Sequence, residues 1–532
     1  MKIGIFLGYE PQVTLGKEGL GRYIGGLLKG FQDLDHELTV ACPHWTMKTL
    51  KSLAKEFLID VDRVNFITEK NAPPMWKIYQ FLTQPRRSVD RSFIKRSIKK
   101  RLDIAGEHLA KASNLGTFLL WVCFYALLCL VLTLPALLVL LVLVIKKSVQ
   151  FIAKKFGNIP KKMGDRIIKR LERYMMPQLF RQMHEGVMER LLQRINNGPP
   201  FDVWFVPSIF WPQVSSIQNG TVVINAPDLL TQEFPFGFAD IYNAPQMMKS
   251  LRKTLEEGTY FITYCEFLRK TLLLEQYGKE ARNTKAIPHV NNAMDRYLYI
   301  EPSLKEQNNI SGSLSDKFAR MLVGLTVQKV ARLPHAGHIQ HYIFYSSQIR
   351  YSKNILNLIK AYEYLLRKKF VHFQLVLTAN LSHHAEVEEY VLEHRLENEV
   401  ICCFNVPAQT LAALYSCADL VVNPTLYEGG FPFTFGEGMS VGTPSIMSDI
   451  PQVRDVLEPA GLEEIMFDPY DWKAIADKIM WALEHRDELY EKELPLYQQM
   501  EKRTSKVVAA EYIQTFETFI ALDQAARGKS GV

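Results

Sequence analysis

The sequence predicts an α/β protein with two parallel-sheet domains, the first of which is interrupted by a helical insertion that is both hydrophobic and basic. Short apolar runs alternate with helical stretches in both halves of the chain, as expected of parallel sheets with helical crossovers. The 532 residues exceed what one hydrophobic core usually holds. A long uncharged stretch and a cluster of basic residues lie together between residues 70 and 198.

The composition is that of a globular protein, since 48% of the residues are hydrophobic and 22% are charged. The seven cysteines form no CxxC pair, so neither a disulfide scaffold nor a thiolate zinc site is indicated and a reducing compartment is expected. The start, MKIGIFLGYE, has one lysine and a short apolar run. It therefore indicates a first strand and not a signal peptide.

The first domain is predicted from residues 1–69 and 199–335. It begins with a strand at 2–7, a glycine-rich loop that contains Gly19 and Gly21, and a helix. The loop matches neither the GxGxxG nor the P-loop spacing, so a ligand-binding loop and a flexible connection both stay open. The further strands are expected at 37–42 and 64–68 and in FDVWFVPS, TVVINAPD, YFITYCEF and TKAIPHV.

Asp228 closes the TVVINAPD run. If that run is a parallel strand, Asp228 lies at its carboxyl end, where open α/β sheets bind ligands. The residue is thus a candidate acceptor-side or N-domain site residue. A helix or turn cap is the alternative role for a single aspartate.

The insertion, residues 70–198, carries 24 Lys and Arg against 7 Asp and Glu. This is a net charge of +17, whereas the whole chain carries +7, so the remainder carries −10. Residues 151–195 have apolar residues at helical spacing and many Lys and Arg between them, which is typical of a helix on anionic lipid headgroups. A solvated face or a nucleic-acid patch are the alternatives; the neighbouring apolar run favours lipid, so no nucleic-acid partner is expected.

Residues 115–145 contain no charged side chain in 31 positions, more than the roughly 18–20 that mark a membrane segment. Both flanks are basic, which favours the cytoplasmic side for both, and both are expected to contribute strands to one sheet. Pro135 can break the helix near its middle. A re-entrant hairpin is therefore favoured, and a tilted single span remains open if those strands do not share a domain.

The second domain is predicted at 336–515, after a linker at 302–334 and before a tail at 516–532. It opens with a strand, a short polar loop that contains Arg350 and Lys353, and a helix. Further apolar runs lead to a strand at 420–422, which is followed by LYEGGFPFTFGEGMSVGTP at 426–444.

The loop 426–444 combines glycines with two carboxylates, Glu428 and Glu437. It leaves a strand and enters a helix, a place that suits an anion, and glycine lets a ligand approach the backbone. An ordinary connection with two solvated carboxylates is the alternative. If Arg350 and Lys353 converge with the carboxylates, the cations can hold a diphosphate and a carboxylate can hold sugar hydroxyls. The chemistry indicated is glycosyl transfer from a nucleotide sugar.

Three segments, YSKNILNLIKAYEYL, LAALYSCADLVVNPTLYEGGFP and GEGMSVGTPSIMSDIPQVRDV, together resemble the retaining GT-B glycosyltransferases of the GT4 family. The first half is similar through KIGIFL, the GLGRYI loop and NAPDLLTQEFP, and the insertion has no counterpart. The resemblance implies the GT-B fold, in which two Rossmann-like domains face a cleft. It also implies that the helix around 508–521 packs back on the first domain.

The resemblance implies roles for single residues. It assigns the donor diphosphate to Arg350 and Lys353, and the donor hexose to Glu428. The remaining donor-binding residues that it implies are Gly429, Gly430 and Phe431 by backbone contact, Glu437 on the ribose hydroxyls, and Gly19 and Gly21 near the phosphates and acceptor.

Two departures from the family pattern matter. Eight residues separate Glu428 from Glu437, where the family commonly has seven. Thr231 and Glu233 stand where relatives often have a histidine, so no catalytic histidine is assigned.

No metal or other cofactor is expected besides the nucleotide-sugar donor. Asp60 and Asp62 have DxD spacing but precede a strand, which favours a loop or cap role. His335, His338 and His341 are spaced at three but straddle a linker that contains Pro334 and Gly337.

The sequence thus predicts a hexosyltransferase that uses a GDP- or UDP-sugar and a lipid-linked or membrane-proximal acceptor in cell-surface polysaccharide synthesis. We expect it at the cytoplasmic face of the cell membrane, in contact with anionic lipids, with an oligomer or an assembly complex left open. The alternative is a catalytically silent scaffold of a membrane polysaccharide-assembly complex.

Overall fold

The computed structural model describes residues 1–11, 13, 15, 19–69, 72–73, 76, 119–121, 123–125, 182–228, 230–235, 244–298, 311–330 and 341–530. The chain divides into two compact units, Met1–Lys70 with Met188–Val532, and Asn71–Val187. The first unit holds two parallel α/β sheets, as the sequence predicts.

The first sheet has seven parallel strands in the order β3-β2-β1-β4-β5-β6-β7. They are β1 Lys2–Phe6, β2 Glu37–Ala41, β3 Val64–Ile67, β4 Val203–Val206, β5 Thr221–Asn225, β6 Tyr260–Thr263 and β7 Thr284–Ala286. Every residue of β4 and β6 is buried, because helices cover both faces of a parallel sheet.

The second sheet has six parallel strands in the order β10-β9-β8-β11-β12-β13. They are β8 Tyr342–Tyr345, β9 Gln374–Leu377, β10 Val400–Cys402, β11 Leu420–Asn423, β12 Ser445–Ser448 and β13 Met466–Phe467. In each sheet the strand order reverses around its first strand, which leaves a crevice at the carboxyl ends where such sheets bind ligands.

The helices mostly connect successive strands. They are Gly19–Asp33, Thr46–Glu56, Leu230–Glu233, Ala244–Glu257, Glu266–Leu268 continued by the π-helix Arg269–Gln276, Ser311–Val330, Ile355–Lys368, Ala385–Glu393, Ala408–Ser416, Phe433–Met439, Pro451–Leu457, Trp472–Glu484, Arg486–Glu501 and Ser505–Ser530, and residues 182–196 are also helical.

The C-terminal helix Ser505–Ser530 returns to the first domain, as the resemblance implies. Tyr512 and Phe516 are fully buried, and the Tyr512 ring lies 5.5 Å from that of Phe205 and 6.4 Å from that of Phe31. The predicted tail at 516–532 needs correction, because the buried side chain of Phe516 lies inside this helix.

The predicted linker at 302–334 also needs correction. Its described part forms the helix Ser311–Val330, whose buried residues Ala319, Val323 and Val327 pack in one core with Tyr342 of β8. A helix forms here because these apolar residues recur every fourth position and share one face. The second domain therefore begins before residue 336.

The first unit takes up the chain again at Met188, before the predicted residue 199. Arg190 Nε lies 2.7 Å from the Glu69 carboxylate, and the Asn196 amide donates to the Ser216 carbonyl at 2.8 Å. These contacts tie the end of the predicted insertion to the first sheet domain.

Most of the predicted insertion, including all of the proposed hairpin at 115–145 except residues 119–121 and 123–125, lies outside the described residues. Within the second unit, residues 119–121 and 123–125 are helical. Among the described residues, no helix is long and apolar enough to cross a membrane. The hairpin stays a prediction.

Candidate functional site

The loop 426–444 follows β11 and enters the helix Phe433–Met439, as predicted. The Leu426 N–H donates to the Ser352 carbonyl at 2.7 Å, which ties the loop to the turn after β8. The two loops that carry the predicted cations and carboxylates therefore meet at the carboxyl edge of the second sheet.

Lys353 and Glu428 form an ion pair at this meeting point, with the Lys353 ammonium donating to a carboxylate oxygen of Glu428. The side chains are 21% and 20% exposed, so the pair is shielded from water yet open to a ligand. A charged pair of this kind can exchange partners with a diphosphate and a sugar hydroxyl.

Arg350 lies in extended backbone just before that turn. Its guanidinium donates to the Gln348 side-chain oxygen at 2.8 Å and the side chain is exposed. Its charge reaches Asp228 of the first domain. The structure thus places the predicted basic pair on one side of the crevice.

Asp228 follows β5 and faces this group from the first domain. Burial raises the pKa of the Asp228 carboxyl, a shift opposed by the Leu230 N–H at 3.3 Å and by the Arg350 and Lys353 charges, and reinforced by Glu428. Two carboxylates and two cations from two domains therefore share one electrostatic environment, a common feature of functional sites.

The glycines of the loop lie tightly against the first domain. A Cβ on Gly429 would lie 1.9 Å from the Pro227 carbonyl oxygen, and one on Gly436 would lie 2.1 Å from the Asn291 Oδ1. A Cβ on Gly430 would lie 2.8 Å from the Cβ of Tyr264. The predicted close approach to these glycines is thus made by the first domain, and the donor contact at Gly429 and Gly430 stays a prediction.

Phe431 contributes its backbone to the same junction. Its carbonyl accepts a hydrogen bond from His289 Nε2 at 2.7 Å. Burial lowers the pKa of His289, which favours the neutral imidazole, and its ring stacks on that of Phe433 at 3.9 Å. His289 therefore fastens the first domain to the loop.

Glu437 lies at the far end of the loop and is buried. Its carboxylate accepts from Arg22 Nη1 at 2.8 Å, from the Asn292 amide at 2.6 Å and from the Tyr415 hydroxyl at 2.6 Å. The carboxylate predicted to hold ribose hydroxyls is thus held by protein donors, two of them from the first domain.

Gly19 and Gly21 open the helix Gly19–Asp33. A Cβ on Gly21 would lie 1.8 Å from the Leu15 carbonyl oxygen, so only glycine leaves room for this carbonyl. The next residue, Arg22, lies against Glu437.

Sequence reasoning missed Arg22, His289, Asn292 and Tyr415. Arg22 directly follows Gly21 in GLGRYI, and that position was the only signal available. The other three are ordinary polar residues of loops and helices, and their role follows from contacts across the crevice.

The described residues of the two candidate metal motifs, the DxD pair and the histidines, have structural roles. The Asp60 side chain accepts from the Asp62 N–H and caps the turn Val61–Arg63, as predicted. His341 pairs with Asp419 at 3.1 Å, and His335 and His338 lie outside the described residues. Across the described ranges no three His, Cys, Asp or Glu side chains group as metal ligands, and a metal-free site stays a prediction.

Residues 336–506 match the family described as "Glycosyl transferases group 1". The O-antigen chain mannosyltransferase B of Escherichia coli is 31% identical over 147 residues, which are 27% of this chain and 37% of that protein. The matched stretch thus spans little more than a third of this relative.

Solved structures show the same fold at low identity. HepE of Anabaena in complex with UDP-glucose has a TM-score of 0.54 at 12% identity, over 97% of this chain and 100% of its own. The sucrose-phosphate synthase of Thermosynechococcus elongatus has a TM-score of 0.52 at 13% identity, over 98% and 100%. The N-terminal domain of the Candida albicans trehalose-6-phosphate phosphatase has a TM-score of 0.52 at 13% identity, over 97% and 96%.

Proposed function

We propose that the chain transfers a hexose with retention from a nucleotide sugar, because residues 336–506 match the family of glycosyl transferases of group 1. The acceptor in this proposal is a lipid-linked or membrane-proximal glycan of a cell-surface polysaccharide. The Lys353–Glu428 pair, which faces Asp228 across the crevice, carries the proposal.

The positions of Lys353, Arg350 and Glu428 support a different role for the cations and for the carboxylate. Lys353 and Arg350 bind the donor diphosphate and stabilise the charge that develops on it as the sugar leaves. Glu428, released from Lys353, accepts a hydrogen bond from a hydroxyl of the donor hexose. The bond between the anomeric carbon and the diphosphate breaks, the acceptor oxygen forms the new bond, and the acceptor proton passes to the departing diphosphate.

The donor class rests on the cations and on the relatives. Two cations at one sheet edge suit a diphosphate, and HepE was solved with UDP-glucose. The Escherichia coli relative is named a mannosyltransferase. We therefore propose a GDP- or UDP-hexose, with no metal or other cofactor.

The membrane part of the proposal rests on the insertion. Its charge of +17 and its uncharged stretch at 115–145 suit a bilayer with anionic lipids. The described side chains of Leu119, Leu120 and Phe124 are 52%, 70% and 52% exposed, which is compatible with contact to lipid. We place the enzyme at the cytoplasmic face, and the O-antigen relative supports a membrane-linked glycan as acceptor.

The test is a transfer assay with the full chain purified in detergent. UDP- and GDP-hexoses are supplied one at a time with a membrane extract that contains lipid-linked glycans. We expect one donor to be consumed and its hexose to appear in the lipid-linked fraction. If no donor gives either transfer or hydrolysis, the proposal is contradicted.

A second candidate is a catalytically silent scaffold within a polysaccharide-assembly complex. It is favoured by Glu437, whose carboxylate is already held by Arg22, Asn292 and Tyr415. The variants Glu428→Gln and Lys353→Ala discriminate the two. An enzyme loses product while membrane attachment persists, whereas a scaffold supports polysaccharide assembly unchanged.

A further inference from the structure

A cavity of about 230 Å³ lies between the two sheet domains. One wall comes from the helix Leu230–Glu233 and the π-helix Arg269–Gln276 with their flanking residues, and the other includes Leu426 and Tyr427. Both walls directly continue the proposed reaction centre, because Tyr427 precedes Glu428 and the helix Leu230–Glu233 starts two residues after Asp228. A molecule in the cavity is therefore next to the groups that hold the donor.

The cavity is rich in aromatic side chains. Phe234, Phe267 and Tyr427 line it, with the exposed Tyr470 also in its lining. The Phe234 ring lies 6.2 Å from that of Tyr427 and 6.0 Å from that of Tyr351. Such rings offer flat apolar faces with a polar tip on each tyrosine, which suit the C–H face of a pyranose.

A buried amide also lines the cavity. Gln452 is 1% exposed, and it belongs to the lining of the cavity. An amide has both hydrogen-bond donors and an acceptor, and sugar hydroxyls can pair with both. Glu233 and Gln276, both exposed, add polar groups to the same lining.

Charge separates this cavity from the donor site. None of its described lining residues is a Lys, Arg or His, so it offers nothing to neutralise a phosphate. The cations Arg350 and Lys353 instead belong to the neighbouring ion-pair cluster. The cavity thus suits a neutral sugar ring and not the nucleoside diphosphate.

We propose that this cavity is the acceptor subsite and binds the terminal pyranose of a glycan between Phe234, Tyr427 and Gln452. The proposal rests on the function proposed above, and it adds the place where the acceptor sugar is held. Aromatic faces orient the ring and Gln452 fixes its hydroxyls, as in ligand pockets with few polar groups.

The test separates acceptor binding from donor chemistry. Phe234→Ala and Gln452→Ala are compared with the wild type for transfer to glycan and for donor hydrolysis to water. We expect the acceptor KM to rise at least tenfold and donor hydrolysis to stay within twofold, with Phe234→Tyr restoring most of the acceptor affinity. Leu392→Ala, on an exposed helix position elsewhere, is the matched control and leaves both unchanged.

Two results overturn the subsite. An acceptor KM that stays unchanged in both variants shows that the cavity holds no acceptor. A higher donor KM together with lost hydrolysis assigns the cavity to the donor.

A binding measurement keeps the inference testable if no transfer is found. Saturation-transfer NMR with methyl α-mannoside and a mannooligosaccharide is applied to the full chain. Binding to the wild type that Gln452→Ala weakens supports the subsite even if the proposed catalysis fails. No binding of either probe to the wild type contradicts the subsite.

Discussion

The two carboxylates of the loop 426–444 have opposite surroundings. Glu428 is one-fifth exposed and pairs with Lys353 of its own domain, whereas Glu437 is 3% exposed and is held by Arg22 and Asn292 of the other domain. The end of the loop at Glu428, the exposed end, can exchange its partner for a substrate. The end at Glu437, the buried end, fastens the two domains together, so a ribose that binds there must compete with Arg22.

The largest effect is expected at the exposed end. In the proposed mechanism Lys353 stabilises the departing diphosphate and Glu428 holds the donor hexose, so we expect Lys353→Ala and Glu428→Gln each to lower transfer by about a hundredfold or more, as when one stabilising donor is lost. Steady-state kcat/KM with the preferred donor measures it. Far-UV circular dichroism is the folding control, and a folded variant with wild-type kcat/KM contradicts this role.

The next effect is expected at the junction of the two ends. Gly429→Ala places a Cβ where the Pro227 carbonyl now lies, so the loop and the first domain must move apart. Because misplacement of about 1 Å can cost two orders of magnitude, we expect transfer to fall about tenfold or more.

Gly26→Ala is the matched control for Gly429→Ala. It lies in a helix, and the nearest atom to its added Cβ is 3.5 Å away. We expect unchanged transfer and a small gain in stability. Equal kinetics of both variants would show that the contact at Pro227 does not position the loop.

A smaller effect, on stability, is expected at the buried end. Breaking a buried ion pair costs about 3–5 kcal/mol when nothing else holds the charge. Since Asn292 and Tyr415 still donate to Glu437 and the Arg22 side chain is 28% exposed, we expect Arg22→Ala to lower the unfolding free energy by about 1–2 kcal/mol. Urea unfolding measures this value.

The same variant tests the competition at Glu437. If the ribose replaces Arg22, Arg22→Ala binds the nucleoside diphosphate at least as tightly as the wild type in calorimetry. Weaker binding would show that Arg22 itself contributes to the donor site. The double variant with Glu437→Gln should recover most of the lost stability, because no charge is then left buried.

The smallest effect is expected at Asp228. Because burial raises its folded-state pKa, the fold favours the protonated carboxyl. The stability that the protonated Asp228 contributes is fully present below about pH 3.9, the ordinary pKa of an aspartate. It is lost as the pH rises through the raised pKa that Asp228 has in the folded protein. Asp228→Asn should therefore melt about 2 °C higher than the wild type at neutral pH and equally at acid pH, while it transfers hexose more slowly.

Melting curves at about pH 4 and pH 8 measure the Asp228 effect. The control is Asp62→Asn, which changes an exposed aspartate of the first domain. Its melting temperature should equal that of the wild type at both pH values. A difference between Asp228→Asn and the wild type that does not grow with pH would contradict the buried, raised pKa.

The sequence predicts the parts of this fold that depend on local pattern. The strands are short apolar runs buried on both faces, and Lys353 and Glu428 follow strands β8 and β11, so parallel topology alone brings them to one edge. The helix Ser311–Val330 was missed, although the spacing of Ala319, Val323 and Val327 indicates it.

The interdomain partners of Glu437 could not be predicted in this way. Arg22 and Asn292 are separated from Glu437 by 415 and 145 residues, and no local periodicity encodes which loops meet across a cleft. The glycines of the loop 426–444 were predicted to give a ligand room to approach the backbone, yet the missing Cβ also gives room to residues of the first domain. Glycines in a sequence indicate that space is needed, and they do not identify the group that fills it.

The configuration and rate of hexose transfer test the central claim most directly. The full chain is given its donor and a lipid-linked acceptor, and NMR of the product reads the anomeric configuration for the wild type, Glu428→Gln and Glu437→Gln. We predict that the wild type forms a product with the anomeric configuration of the donor. Glu428→Gln should form almost none of this product, and Glu437→Gln should form it faster than Glu428→Gln. An inverted product, or equal rates for the wild type and Glu428→Gln, would contradict the account.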